Sequence, residues 1–420
     1  MKLCVVAYKF GTEEEIGKHL GTYHYFIEIL RKLVKQGHEV KVIAPWLTPF
    51  KKGSTNVDGI KVVRYYPPMV NKLWLFPLNR IIRLLYIKAT QKKVLQQKDV
   101  DAIMIWQARE TGYAVSQIKE KLSAPVIFRQ ITTWKWHFER SADEVFGEKV
   151  IYKIFKSVGL KQLFEVLLDK KNHKKFADEI YKKCDKVAFV SQIAADEAIQ
   201  MGLSPNKVEI LPVSIETDIF RPLDKKQELR SNFNIKSDKV ILFIGRINFA
   251  EKGIGVLLEA MPKVISQINN VSLVIVGGGG ESERMSTMID KLNIKDQVQL
   301  AGKQPFEKLA EYINACDVMV IPSIWMETFG QVTIEAMACG VPVVTSDAGA
   351  SPSINIDGQT GIIVPTKNSQ KLAEAIITIL NNPELADKLG QTARSRVEQN
   401  YTYNVVVNKL LKIINNVTAK

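Results

Sequence analysis

The residues best suited to chemistry lie in three stretches of the C-terminal half. The first, Gly245-Arg246-Ile247-Asn248-Phe249-Ala250-Glu251-Lys252-Gly253, follows the apolar run Val240 to Ile244 and carries two cations, Arg246 and Lys252, on what reads as a strand-to-helix loop. Two cations beside a helix N-terminus can clamp a diphosphate, since guanidinium, ammonium and free backbone amides all bind phosphate oxygens. A solvated loop with two unrelated cations is the plainer alternative. The second, Gly277-Gly278-Gly279-Gly280, follows the run Leu273 to Val276 and has no side chains, so a ligand can approach its backbone closely; a flexible turn has the same composition. The third, Ile321 to Pro342, holds Glu327 and Glu335. With Glu327 ahead of a helix and Glu335 about two turns within it, one carboxylate faces a ligand in the loop and the other lies alongside. Carboxylates accept several hydrogen bonds at once, which suits paired sugar hydroxyls. The amides around Phe329 and Gly330, at the start of that helix, offer donors to phosphate.

Other chemistries leave no such trace. No carboxylate pair presents itself as the nucleophile and acid of glycoside hydrolysis. Asp99-Val100-Asp101 is formally a D-x-D metal motif, but it sits just ahead of the apolar run Ala102 to Ile105 and reads as a solvated strand entry rather than a metal site. Cys4, Cys184, Cys316 and Cys339 are scattered, without a C-x-x-C pair or a histidine at ligand spacing. Reduced thiols in a cytoplasmic protein are expected, with no metal.

These stretches must be positioned by alternating strands and helices. Leu3 to Ala7 is apolar; Tyr25, Phe26, Ile29, Leu30, Leu33 and Val34 recur at helical spacing; Gly37 ends that helix and Glu39 to Ile43 begins a second strand. This βαβ unit implies a parallel sheet with a right-handed crossover. The alternation recurs at Ala102 to Ile105, Val126 to Phe128 and Val187 to Val190. A second series runs through Val240 to Ile244, Leu273 to Val276, Val318 to Ile321 and Pro342 to Val344. An α/β architecture of two doubly wound, Rossmann-like domains follows. The turn-rich stretch Leu211 to Pro222 is the natural linker, and the last helical segment, about Val405 to Val417, has no strand after it. In such sheets ligands bind at the carboxyl ends of the strands, where these three stretches fall.

A chain of 420 residues exceeds what one hydrophobic core holds, and its 46% hydrophobic and 24% charged content is that of a globular protein. The first apolar run is too short for a signal-peptide core, and no segment approaches the ~18–20 apolar residues of a membrane span. Of the net charge of +14, residues Met1 to Asp218 carry +12 (36 Lys/Arg against 24 Asp/Glu) and the remainder +2 (22 against 20). That basic half could face nucleic acid, anionic lipid or a phosphorylated acceptor, or serve solubility alone. No nucleic-acid recognition motif is present. Leu73 to Lys98 and Trp134 to Lys186 interleave aromatics and aliphatics with Lys and Arg, as a membrane-surface patch would, and as core helices with snorkelling cations also would.

Taken together, Gly-Arg-x-x-x-x-Glu-Lys-Gly at 245–253, Gly-Gly-Gly from 277, Pro-Ser-x-x-x-Glu-x-Phe-Gly at 322–330 and Glu-x-Ala-Met-Ala-Cys-Gly-x-Pro-Val from 335 resemble family 4 of the retaining glycosyltransferases, the glycosyl transferases group 1, which have the GT-B fold. The resemblance is strong over Val240 to about Asn382 and extends over the whole chain in outline. It implies two Rossmann-like domains facing each other across a cleft: 1–218 on the acceptor side, 219–400 binding a nucleotide-sugar donor, and 401–420 as a helix packing back on the N-terminal domain. It implies that Arg246 and Lys252 hold the donor diphosphate and stabilise the leaving group, that Glu327 binds the hydroxyls of the transferred sugar, and that Glu335 binds the ribose. Gly245, Gly277, Gly278, Thr328, Phe329 and Gly330 would line the donor, with Lys303 beside the base. The implied reaction retains the anomeric configuration, with a uridine or guanosine diphosphate sugar as donor, a saccharide or lipid-linked acceptor, and neither metal nor other cofactor.

The N-terminal half departs from that pattern. Where relatives often show a Gly-Gly pair in the first loop, this chain has Phe10-Gly11-Thr12 through Gly17-Lys18-His19-Leu20-Gly21-Thr22, so that Gly17 or Gly21 would take the phosphate-approach role. Where many carry a histidine after the strand at Val126 to Phe128, Arg129, Gln130 and Ile131 stand, and the nearest histidine is His137. The linker, commonly Pro-Asn-Gly-Val-Asp, reads Pro212-Val213-Ser214-Ile215-Glu216. These changes leave open a protein that binds a nucleotide sugar without transferring it. The expected location is the cytoplasm, with the inner face of the membrane as a peripheral site.

Overall fold

The computed structural model describes residues 1–16, 20–68, 78–106, 109–134, 157 and 170–419. The chain divides into two compact units, Met1–Pro212 together with Val406–Lys420, and Val213–Val405. Residues 213–218 and 401–405 are grouped with the second unit by their contacts. Within the linker, Leu211 to Ile215 are all buried.

The first unit is built on an eight-stranded sheet: β1 (Lys2–Ala7), β2 (Glu39–Pro45), β3 (Asn56–Val57), β4 (Ile60–Tyr65), β5 (Ala102–Trp106), β6 (Val126–Gln130), β7 (Lys186–Phe189) and β8 (Val208–Ile210). Their spatial order is β3-β4-β2-β1-β5-β6-β7-β8, with only β3 antiparallel to its neighbour. The second unit has a six-stranded parallel sheet of β9 (Lys239–Ile244), β10 (Val271–Val276), β11 (Val298–Gly302), β12 (Val318–Ile321), β13 (Val343–Ser346) and β14 (Gly361–Val364), ordered β11-β10-β9-β12-β13-β14. Every residue of β5, β6 and β10 is buried, as expected of parallel strands covered by helices on both faces.

Each unit has its own core. In the first, Val6, Ile43, Ile103 and Phe128 of the sheet meet Tyr86, Val94 and Ile180 from the helices Asn79–Leu95 and Lys170–Lys183. In the second, Ile241, Phe243, Leu273 and Val320 meet Leu257, Met261, Ile376 and Leu380 from the helices Ile254–Gln267 and Ser369–Asn381. Burying each such aliphatic side chain contributes about 2 kcal/mol. The last helix, Tyr403–Thr418, buries Val406, Val407, Leu410, Ile413 and Ile414, a helical stripe belonging to the first unit.

Chain order reverses about the first strand of each sheet. In the second unit β9 leads to β10 and β11 on one side, after which the chain returns through β12 to β14 on the other. The crevice outside the carboxyl ends of β9 and β12 is therefore the topological switch point, where open α/β sheets take their ligands.

Candidate active site

The loops after β9, β10 and β12 meet at this switch point, and backbone contacts fix how they meet. After β9, Asn248 caps the short helix Phe249–Lys252, its side chain accepting from the Glu251 amide at 2.7 Å. Gly253 ends that turn at φ +65° and opens the helix Ile254–Gln267; a Cβ there would lie 1.9 Å from the Pro322 carbonyl oxygen, so only glycine lets the loops after β9 and β12 pass. The amides of Ile324 and Trp325 donate to the Glu251 carbonyl at 2.9 and 3.2 Å, tying the same two loops together. Gly277, after β10, has φ +145° and approaches Gly245 so closely that a Cβ would sit 1.8 Å from the Gly245 carbonyl oxygen. The glycine run is thus a close approach of backbone to backbone at its first residue. The Lys303 stem, just past β11, lies over Gly278.

The two cations expected to act as one clamp have different partners. Arg246 donates through Nη2 to Glu251 Oε2 at 2.8 Å, with 69% of its side chain exposed. Such a pair adds little stability, so the guanidinium can turn to a ligand at small cost. Lys252 pairs through Nζ with Glu327 Oε1, and the Ser323 hydroxyl donates to that same oxygen at 2.9 Å. Glu327 is further fixed by its backbone, whose carbonyl accepts from the Ala350 amide at 2.8 Å. An ammonium and a carboxylate are thereby held side by side, one suited to phosphate and the other to hydroxyls.

The helix Gln331–Ala338 begins at Gly330, an N-cap at φ +95°. Thr328 is half-buried before it, and Phe329 is buried with its ring 5.7 Å from Tyr401 in an edge contact. Glu335 lies within the helix and is 4% exposed; Gln331 Nε2 donates to its Oε1 at 3.0 Å. Burial pushes its carboxyl up to about 8, against which the Gln331 hydrogen bond acts. Thr333 Oγ1, one turn in, is buried with no hydrogen-bond partner.

Gly245, Arg246, Lys252, Gly277, Gly278, Lys303, Glu327, Thr328, Phe329, Gly330 and Glu335 all belong to the second unit, on the loops and helix starts that follow β9 to β12. Sequence reasoning missed Ser323, Glu251 and Gln331, which hold the charged groups in place; their polar types at the loops were the only available signal. Of the N-terminal positions, Gly17 lies outside the described residues, as does His137. Gly21 falls in the first turn of the helix Leu20–Lys35, which starts a turn earlier than its apolar stripe.

Arg129, where the family pattern places histidine, is wholly buried. Its Nη1 donates to the Leu211 carbonyl and its Nη2 to that of Pro212 at 3.1 Å, with the guanidinium 5.6 Å from the Trp106 ring centroid. Burial lowers its pKa to about 10. This residue braces the end of the first unit. Asp99 pairs with Lys2, and Asp101 accepts from the Lys2 amide at 2.6 Å, so both acids act at strand entries. Among the described residues no cluster of three metal-ligating side chains occurs, the four cysteines are free and buried, and no helix is long and apolar enough to cross a membrane.

Two parallel-sheet units, with a basic and acidic crevice at the switch point of the second, define the GT-B class of proteins. Structural similarity extends over the full chain: sucrose-phosphate synthase from Thermosynechococcus elongatus superposes with a TM-score of 0.73 at 20% identity, covering 100% of this chain and 99% of that one. Anabaena HepE in complex with UDP gives 0.73 at 18% identity, covering 99% and 100%. Residues 21–219 match the family described as Glycosyltransferase Family 4 and residues 224–396 match Glycosyl transferases group 1, and the chain belongs to these glycosyltransferases. It is 35% identical to the phosphatidyl-myo-inositol mannosyltransferase of Mycobacterium leprae over 43% of its own length and 47% of that relative's. The matched stretch thus spans about half of the curated relative.

Proposed function

We propose that the protein transfers a glycosyl group from a uridine or guanosine diphosphate sugar to a saccharide or lipid-linked acceptor, with retention of anomeric configuration. The observation that carries this reading is the Lys252–Glu327 pair held at the switch point by Ser323 and the Glu251 carbonyl. In this reading Lys252 and Arg246 take the diphosphate and stabilise its departure, aided by the amides at Gly330. Glu327 accepts from the hydroxyls of the transferred sugar and Glu335 from the ribose. Lys303 lies beside the base. The bond from the anomeric carbon to the diphosphate breaks, a bond from that carbon to the acceptor oxygen forms on the same face, and a phosphate oxygen takes the acceptor's proton. Side-chain cations neutralise the diphosphate, so the reading calls for no metal ion. The UDP complex of HepE supports a uridine donor, and the mannosyltransferase relative supports a lipid-linked acceptor.

The test is a thermal-shift and hydrolysis screen against uridine, guanosine and adenosine diphosphate sugars, with a chelator and then with divalent cations, followed by product anomer assignment by NMR. Stabilisation by one donor with slow release of its diphosphate, undiminished by the chelator, is expected. Stabilisation without release, even with acceptors present, would leave a nucleotide-sugar-binding protein. No response to any donor would overturn the assignment of the site.

A further inference from the structure

Eight large hydrophobic side chains stand exposed among the described residues, and six of them, Phe50, Tyr66, Leu78, Ile81, Leu84 and Leu85, belong to one end of the first unit. Phe50 is 97% exposed and the other five are each more than half exposed. Their common location follows from the sheet. β2 and β4 are neighbours with Pro45 opposite Tyr65, so the loops bearing Phe50 and Tyr66 leave the carboxyl edge side by side. The Trp46 amide donates to the Tyr65 carbonyl at 2.9 Å, and the Trp46 and Tyr66 rings meet edge to face at 5.1 Å. The helix Asn79–Leu95 runs back from that edge, with Tyr86 and Thr90 against Tyr65: the Tyr65 and Thr90 hydroxyls are 2.8 Å apart and the Tyr65 and Tyr86 ring centroids 5.9 Å. At about 1.5 Å per residue, the turns before Tyr86 reach roughly 12 Å beyond the strand ends.

That helix has two unlike faces. Asn79, Tyr86, Ile87, Thr90 and Val94 are buried. Leu78, Ile81, Leu85, Lys88 and Lys92 recur at helical spacing on the opposite side and are all exposed, apolar in the first turns and cationic after them. Cations outnumber acids along this stretch: from Val40 to Lys98 the sequence holds twelve Lys and Arg against one acid, Asp58, to which Arg31 Nε donates at 2.9 Å. Acids from other elements reach it as well, Glu15 accepting from Ser54 and Glu110 lying 3.9 Å from Arg83. Beside Phe50, Lys52 lies over the Trp46 ring at 5.2 Å.

Exposed apolar side chains gathered at one end of a globular unit mark a binding surface. Here exposed cations accompany it, Lys51 and Lys52 next to Phe50 and Lys88 and Lys92 on the helix face of Ile81 and Leu85, so a second copy of the same surface would set cation against cation. An anionic lipid surface fits both features: the apolar tips enter the acyl boundary and the cations meet the headgroups.

We propose that the carboxyl edge over β2 and β4, with Phe50 at its tip and the outward face of the helix Asn79–Leu95, docks the protein on an anionic lipid surface. This surface is independent of the donor chemistry, and its test needs no substrate. Flotation of the full chain with phosphatidylcholine vesicles, with and without phosphatidylglycerol, is read at low and at raised salt. Binding to the anionic vesicles, weakened by salt, is expected. Phe50→Glu with Ile81→Glu should lower the partition coefficient at least tenfold, and Lys88→Glu with Lys92→Glu should weaken binding and flatten its salt dependence. All four side chains are exposed, so the melting temperatures should match the parent's, and donor hydrolysis measured on the same preparations separates loss of docking from loss of the transferase reading. Absence of binding at low salt, or equal binding by parent and variants, would overturn the proposal. So would a dimer, seen by light scattering, that the Phe50/Ile81 variant dissolves, since the patch would then be a self-association surface.

Discussion

Lys252 has one partner in the structure and a second expected in the reaction, and the two can be told apart. Replacing it with alanine leaves Glu327 its Ser323 hydrogen bond, so the fold should change little. Turnover should fall by about 10²–10³, the size typical of losing one group that meets developing charge. Parallel loss of melting temperature and of kcat in one preparation would show Lys252 to be structural. Glu335 makes a prediction in pH. Its carboxyl is raised from the usual 4.5 to about 8, so the native protein keeps a proton that the unfolded chain has released. The stability this group contributes is therefore complete below about 4.5 and is lost as pH rises through about 8. Glu335→Gln should flatten this slope, seen by thermal melts across that window. If the carboxylate is what binds the ribose, nucleotide binding should also release a proton near neutrality, measurable by calorimetry in buffers of different ionisation enthalpy, and the glutamine variant should release none.

At the scale of loops and strands, the steric argument rests on Gly277. Alanine there places a carbon against the Gly245 carbonyl, whereas alanine at Gly302, also at positive φ, meets nothing within 4 Å. Gly302→Ala should cost about 1–2 kcal/mol for backbone conformation alone, and Gly277→Ala should cost distinctly more and weaken nucleotide binding. Equal melting temperatures for the two variants would rule out the close approach. This contrast also marks what the sequence could show. Apolar runs such as Val240 to Ile244 and Leu273 to Val276 announce buried parallel strands because both faces are covered, and each lies within a strand of the structure. The glycine run was legible only as a turn, since the carbonyl it clears comes from a different loop. The Lys252–Glu327 pair joins residues 75 positions apart, and the burial of Glu335 depends on packing, so neither could be read from spacing. Arg129 read as a departure from the histidine of the family pattern, and its part in bracing Leu211 and Pro212 emerges only when β6 is set beside the end of the unit.

For the whole molecule, the terminal helix decides how the units depend on the chain. Val406, Val407, Leu410, Ile413 and Ile414 are buried in the first unit, at about 2 kcal/mol each. Deleting residues 406–420 should therefore lower the melting of the first unit and leave nucleotide binding by the second unit largely intact. Calorimetry with and without UDP checks this, and loss of UDP stabilisation in the truncated protein would contradict it. The same helix makes the second unit an insertion within the first. On the ribosome the eight strands of the first sheet emerge early, but the stripe that closes their core follows nearly two hundred residues later. At about 5–20 residues per second, that interval is roughly 10–40 s. Throughout it the nascent first unit exposes an unfilled apolar groove, so completion of its fold awaits synthesis of the helix Tyr403–Thr418, and this half of the protein has the greater need of a chaperone.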